Sequence, residues 1–195
     1  MGELFAALYD PLIAPLDSLG VRNWRRWATS AAQGRVLEIG IGTGLNLPHY
    51  PPIQSLAAVD PNGASLRRAL GRRNGKGEAI GLYQARAEHL PFPESSFDVV
   101  LGTLVFCTIS EPTIALSEVR RVLKPGGTLR LVEHVRLPNS LAGGVQDLVT
   151  PFWQHIAGGC HLNRDTLASV RQAGFRVRAA RSQLGGLFVG IDAER

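Results

Sequence analysis

Glu38-Ile-Gly40-Ile-Gly42-Thr-Gly44 is the stretch on which the fold turns. It grows out of the apolar run Arg35-Val-Leu-Glu-Ile39, short enough for a buried strand. Glycines in alternate positions allow a tight turn and let a ligand approach the backbone closely. A dinucleotide fingerprint, G-x-G-x-x-G, would place its third glycine at position 45, which is Leu45. Twenty residues after Gly40, Asp60 ends a second apolar run, Ser55–Asp60, where an acidic side chain can hold a ribose hydroxyl pair. A chance loop is the competing reading of the turn alone. With Asp60 at the next strand end, a nucleoside-bearing ligand is favoured, and Glu38 ahead of the glycines suits one without a pyrophosphate.

Outward from this turn, strand and helix signals alternate. Further strands are expected at Ala79–Ala85, Phe97–Leu101 and Thr128–Glu133. The clearest helix follows Pro112, carries Leu116, Val119, Val122 and Leu123 on one face, and stops at Lys124-Pro-Gly-Gly127. This β-α-β-α order predicts an α/β fold: a Rossmann-like, doubly wound, mostly parallel sheet with helices on both faces. A helix around Asp165–Ala173 and strands near Arg176–Arg181 and Leu187–Ile191, joined by Gln-Leu-Gly-Gly, predict an antiparallel C-terminal hairpin at the sheet edge. With 195 residues and neither repeat nor linker, a single domain is expected, since domains run from roughly 50 to 250 residues. Its parts would be N-terminal lid helices over 1–30, a ligand-binding core over 35–135, a substrate-recognition insertion over 137–163, and the C-terminal helix and hairpin over 164–195.

Composition removes other classes. Gly (22) and Pro (12) together make up about 17% of the chain, below the roughly 25–30% of low-complexity chains. Cys107 and Cys160 make neither a disulfide framework nor a metal-ligand spacing, so a reducing compartment and no metal are expected. Glu3 stands where a signal peptide would be basic, and the longest uncharged apolar run, Val99–Ile109, falls far short of the ~18 residues that span a bilayer. A cytoplasmic location follows as the expectation. The net charge of +5 comes from arginines scattered in pairs, with one cluster from Arg67 to Lys76. A solvated helix face explains that cluster better than nucleic-acid binding does.

Five motifs in order carry a resemblance: Val36-Leu-Glu-Ile-Gly-Ile-Gly-Thr-Gly44, Asp60, Ala87-Glu88 before Leu-Pro-Phe92, Phe97-Asp-Val-Val100, and Leu123-Lys-Pro-Gly-Gly127. Over most of its length the chain resembles the class I methyltransferases that use S-adenosyl-L-methionine (SAM). The resemblance implies that Glu38, Gly40, Ile41, Gly42, Thr43 and Gly44 line the methionine part of that cofactor, with Asn46 reaching its carboxylate. Asp60 would bind the ribose, Pro61 and Asn62 would flank the adenosine, Ala87 and Glu88 the adenine edge, and Thr103 the wall after the fourth strand. Glu88 as an exposed loop carboxylate and Thr103 as simple packing stay open as alternatives.

Gly102-Thr-Leu-Val-Phe-Cys-Thr108, Glu133-His-Val135 and Gly159-Cys-His-Leu-Asn-Arg164 resemble, in this order, the methyltransferase-like thiol S-methyltransferases. That likeness implies a small methyl acceptor, first of all a thiol. Tyr9-Asp10 and Leu47-Pro-His-Tyr50 resemble instead the phospholipid (phosphatidylethanolamine) N-methyltransferases and quinone C-methyltransferases, and a non-catalytic SAM-binding protein is a third reading. His134, following strand five at the ligand edge, is the candidate base, with a strand-end hydrogen bond as its alternative role. Phe152, Trp153, His155 and His161 are expected to pack as aromatic core, and Cys107 as a buried small residue. Leu4, Phe5, Leu8, Tyr9, Leu12, Ile13 and Leu16 form an apolar stripe for packing or for peripheral membrane contact.

Overall fold

The glycine-bearing strand β1 (Arg35–Ile39) lies in the middle of a seven-stranded sheet of order β3-β2-β1-β4-β5-β7-β6. The computed structural model describes residues 3, 10, 11, 14, 15, 20–72 and 80–195. After β1 come β2 (Ser55–Asp60), β3 (Ile80–Gln84), β4 (Phe97–Thr103) and β5 (Leu123–His134), and these five strands pair with one another in parallel. The sheet is then finished by β6 (Arg176–Gln183) and β7 (Phe188–Glu194), both paired antiparallel. The C-terminal hairpin is therefore as expected, with β7 set inside against β5 and β6 forming the outer edge.

Side-chain alternation decides which helix covers which face. Leu37 and Ile39 of β1, Val100 of β4, and Leu129 and Leu131 of β5 share one core. Ala115, Leu116, Val119 and Val122 from α3 (Pro112–Val122) and Val170 from α5 (Thr166–Gln172) close it. The intervening residues Val36, Val99 and Leu101 face the other way, against Ala69 of α2 (Gly63–Gly71). Val132 and Phe188 meet Trp24 and Ala28 of α1 (Arg22–Thr29) on the same side. Each such fully buried Leu, Ile or Phe stabilises the fold by about 1.5–3 kcal/mol.

Three features depart from the sequence reading. Strand β5 begins at Leu123, which pairs with Phe97 before the register resumes at Val99 and Thr128; Lys124–Gly127 is an irregularity within the strand rather than the turn before it. A long helix, α4 (Ser140–Ile156), occupies the region expected only as an insertion. Asn139 starts it by accepting the amide hydrogens of Leu141 and Ala142, although Gly143, Gly144 and Pro151 all disfavour helix. Phe152 is 70% exposed and Trp153 37%, which corrects the expected aromatic core: α4 turns Leu141, Val145, Leu148, Phe152 and Ile156 to solvent.

The apolar stripe from Leu4 to Leu16 lies outside the described residues, as do Arg73 and Lys76 of the basic cluster. Within that cluster, Arg67 is paired with Glu3 and Arg72 with Asp10. Among the described residues, no helix is long and apolar enough to cross a membrane.

Candidate active site

Parallel α/β sheets bind ligands beyond the carboxyl ends of their strands, and there the glycine turn lies. Gly40, Gly42 and Gly44 all have positive φ, at 64°, 55° and 87°. At Gly40 an added Cβ would sit 2.2 Å from Val105 Cγ2, so that glycine is required by the loop after β4. At Gly44 it would press on Leu47 and Ala69. Gly42 differs, since among the described residues nothing lies within 4 Å of the equivalent point. The described residues therefore leave space for a ligand above Gly42.

Asp60 borders that turn. Its Oδ2 accepts the Gly42 amide hydrogen at 2.9 Å and its Oδ1 that of Asn62 at 2.8 Å. Burial pushes the Asp60 carboxyl up, and the two backbone hydrogen bonds oppose that rise. Asn62 starts α2 by accepting from Ala64 N, while Pro61 is exposed. Thr43 is buried and donates to Asp10 Oδ1 at 2.6 Å, and Arg72 ties Asp10 to the Thr43 carbonyl. Ile41 packs in the core beneath the turn.

A polar network forms the floor. Glu38 is buried and accepts from Asn46 Nδ2 at 2.8 Å and from the Tyr50 hydroxyl at 2.7 Å. Asn46 also donates to Thr103 Oγ1 at 3.1 Å, while its Oδ1 accepts from Arg25 Nη1 at 3.2 Å. Both amide hydrogens of Asn46 are thus engaged within the protein, so it positions Glu38 and Thr103 instead of reaching outward. Thr103 is likewise part of this network, which its alternative reading as simple packing leaves out. Burial raises the Glu38 carboxyl and, together with Glu38, raises the Tyr50 phenol well above its usual range. Arg25, Tyr50, Asp10 and Arg72 were not expected here. Asp10 follows Tyr9 and Tyr50 ends Leu47-Pro-His-Tyr50, but no local spacing marks any of the four as a site residue.

Glu88 is buried, so the exposed-carboxylate alternative is excluded. It accepts from Arg86 at 3.2 Å and from Glu111 N at 3.4 Å. Burial tends to raise its pKa, but these hydrogen bonds outweigh it and the net shift is downward. Ala87 packs into the core beside it.

At the neighbouring strand ends, Glu133 is wholly buried and binds the loop after β4. Its carboxylate accepts the amide hydrogens of Val105 and Phe106 at 2.9 Å and of Cys107 at 3.3 Å. His134 Nε2 lies 3.1 Å from Cys160 Sγ, and its Nδ1 is buried without a hydrogen-bond partner among the described residues. Cys107 completes the group: the two sulfurs and the ring nitrogen lie within 4.8 Å of one another. The cysteines, separated by 53 residues and expected to form no ligand cluster, are thus brought together by the fold. Hydrogen bonds from Cys107 and His134 pull the Cys160 thiol down to about 4. Cys107, donating to Cys160 within a buried setting, is pushed well up. His161 instead packs its ring nitrogen on the carbonyls of Gly159 and Cys107, and His155 is exposed.

Residues 37–131 match the methyltransferase-domain family. Over 145 residues the chain is 39% identical to thiol S-methyltransferase TMT1B of Rattus norvegicus, covering 72% of this chain and 59% of that protein. It thus spans about three-fifths of that relative's length. To the phosphatidylethanolamine N-methyltransferase of Cereibacter sphaeroides it is 36% identical, covering 70% of this chain and 78% of that one. A SAM-dependent methyltransferase from Thermotoga maritima superposes with a TM-score of 0.69 at 22% identity, over 100% of this chain and 99% of that chain. The open turn above Gly42, bordered by the Asp60 carboxylate, is compatible with the cofactor of that family, and by sequence match and fold the chain belongs to the class I SAM-dependent methyltransferases.

Proposed function

We propose that the protein transfers a methyl group from SAM to a small thiol. The observation that carries this reading is the position of His134: it ends β5 beside the loop that Gly40 touches through Val105, and it is grouped with Cys107 and Cys160. When bound, SAM supplies a methyl carbon activated by its sulfonium leaving group, so the protein need only align, desolvate and deprotonate an acceptor. Asp60 takes the ribose hydroxyls; the turn from Gly40 through Ile41, Gly42 and Thr43 to Gly44 holds the methionine part through its amides. Glu38, fixed by Asn46, and Thr103 form the polar floor. Pro61 and Asn62 flank the nucleoside, with Ala87 and Glu88 at its adenine edge. His134 takes the acceptor proton, which raises the thiolate fraction of a group whose ordinary pKa is about 8.5. The two free cysteines agree with the cytoplasm as the site of action.

One observation favours a second reading. The exposed apolar face of α4, from Leu141 to Ile156, suits an acceptor delivered from a lipid surface, as for a phospholipid N-methyltransferase or quinone C-methyltransferase. Purified protein with SAM should methylate small alkyl thiols, and His134→Ala should lower that turnover at least about tenfold while SAM affinity is retained. Turnover on phosphatidylethanolamine or a demethylquinone with none on any thiol selects the second reading. SAM binding without S-adenosylhomocysteine from any acceptor selects a non-catalytic SAM-binding protein.

A further inference from the structure

Three elements distant in sequence deliver one compact donor set: Cys107 from the loop after β4, His134 from the end of β5, and Cys160 from beyond α4. We infer that these residues form a binding site for a soft divalent ion of the zinc class, with its fourth position left for the sulfur of the acceptor. The second half of this inference rests on the thiol reading above; the first does not.

The donor types come first. Two thiolates and one imidazole form a borderline-soft set that selects zinc over magnesium or calcium. Tetrahedral zinc, with Zn–S about 2.3 Å and Zn–N about 2.0–2.1 Å, sets its donors about 3.5–3.8 Å apart. The 3.1 Å contact between His134 Nε2 and Cys160 Sγ and the 4.8 Å limit on the whole group bracket that spacing. Among the described residues, no fourth Cys, His, Asp or Glu joins the group. Glu133, the adjacent carboxylate, already accepts three backbone amide hydrogens. Three protein ligands with one open position is the pattern of zinc sites that bind a reactant, whereas structural sites close with four.

The surrounding structure holds the donors in place. Glu133 secures the Cys107 amide, and His161 N donates to the Cys107 carbonyl at 2.8 Å, joining the segment that carries Cys160 to the loop that carries Cys107. Arg164 reaches the Phe106 carbonyl between them. Charge also balances: the ion offsets two thiolates, and Arg164 offsets Glu133.

Binding of the acceptor is then a ligand addition. A sulfur–metal bond forms, the S–H bond breaks, and the proton passes to solvent, leaving a thiolate beside the cofactor space. With the ion in place His134 acts as a ligand, and the metal lowers the pKa of the bound thiol in its stead.

Metal content and a cobalt spectrum test this without reference to turnover. Protein purified under reducing conditions without chelator should carry about one zinc per chain. Replacing it with cobalt should give visible bands of a tetrahedral site and a near-ultraviolet sulfur-to-cobalt charge-transfer band. Cys107→Ser, Cys160→Ser and His134→Gln, each checked for fold by circular dichroism, should weaken metal binding by more than about tenfold. Cys160→Ser is the variant to read if Cys107→Ser does not fold. Adding ethanethiol should shift the visible bands, and diethyl sulfide should not. Reduced protein that retains no metal and gives no cobalt bands overturns the site, as does a Cys107–Cys160 disulfide in its place. Bands indifferent to thiol overturn the fourth-ligand assignment. Bands that shift with thiol in a protein that never methylates it leave the site standing and overturn only the thiol methylation reading.

Discussion

The Gly42 amide donates to Asp60 Oδ2 at 2.9 Å, joining the turn after β1 to the end of β2. Neighbouring parallel strands pair Ile39 with Val59, so the residue after each register partner faces the same space. Asp60→Ala should therefore act twice, removing the ribose acceptor and releasing the turn. SAM affinity measured by calorimetry should fall by about 1–3 kcal/mol, the cost of losing charge-assisted hydrogen bonds. Unchanged affinity would remove Asp60 from the site.

Gly40 and Gly42 separate folding from binding. Gly40→Ala forces a Cβ to 2.2 Å from Val105 Cγ2 at a φ of +64°, so it should lower the melting temperature. In Gly42→Ala the new methyl meets no atom of the described residues, and the left-handed backbone costs about 1 kcal/mol. That variant should fold and yet bind SAM at least about tenfold more weakly, because the methyl enters the cofactor space. Parent-like affinity in Gly42→Ala would show that the space above the turn is not where the cofactor lies.

The sequence made this turn legible because its requirements are local. Positive φ demands glycine, and Asp60 follows at the next strand end. The C-terminal hairpin was readable for the same reason, through its Gly185-Gly186 turn. The cluster of Cys107, His134 and Cys160 could not be read that way, because it depends on β4 lying beside β5 in the register that pairs Thr103 with Val132. Nor could the direction of Phe152 and Trp153. An apolar helix face looks the same in sequence whether it meets the core or, as α4 does, solvent. Glu38, Asn46 and Tyr50 lie in or just after the glycine turn, but Arg25, which donates to Asn46, comes from α1, and no local pattern in the sequence joins it to them.

Asp192 binds the last three strands of the sheet electrostatically. On β7 it accepts from Arg130 of β5 and from Arg178 Nε of β6 at 2.8 Å, with little solvent exposure. Burial alone would raise the Asp192 carboxyl, yet the hydrogen bonds from Arg130 and Arg178 outweigh it and lower the folded-state pKa below 3.8. A depressed carboxyl pKa contributes stability that is fully present above the unfolded value and lost as pH falls through the folded one. Asp192→Asn should therefore cost about 2 kcal/mol near pH 7, the scale of hydrogen bonds to charged groups. The difference from the parent, followed by denaturant unfolding, should shrink as the pH falls below about 4. A constant difference across that range would assign the loss to packing at β7 and not to the carboxylate charge.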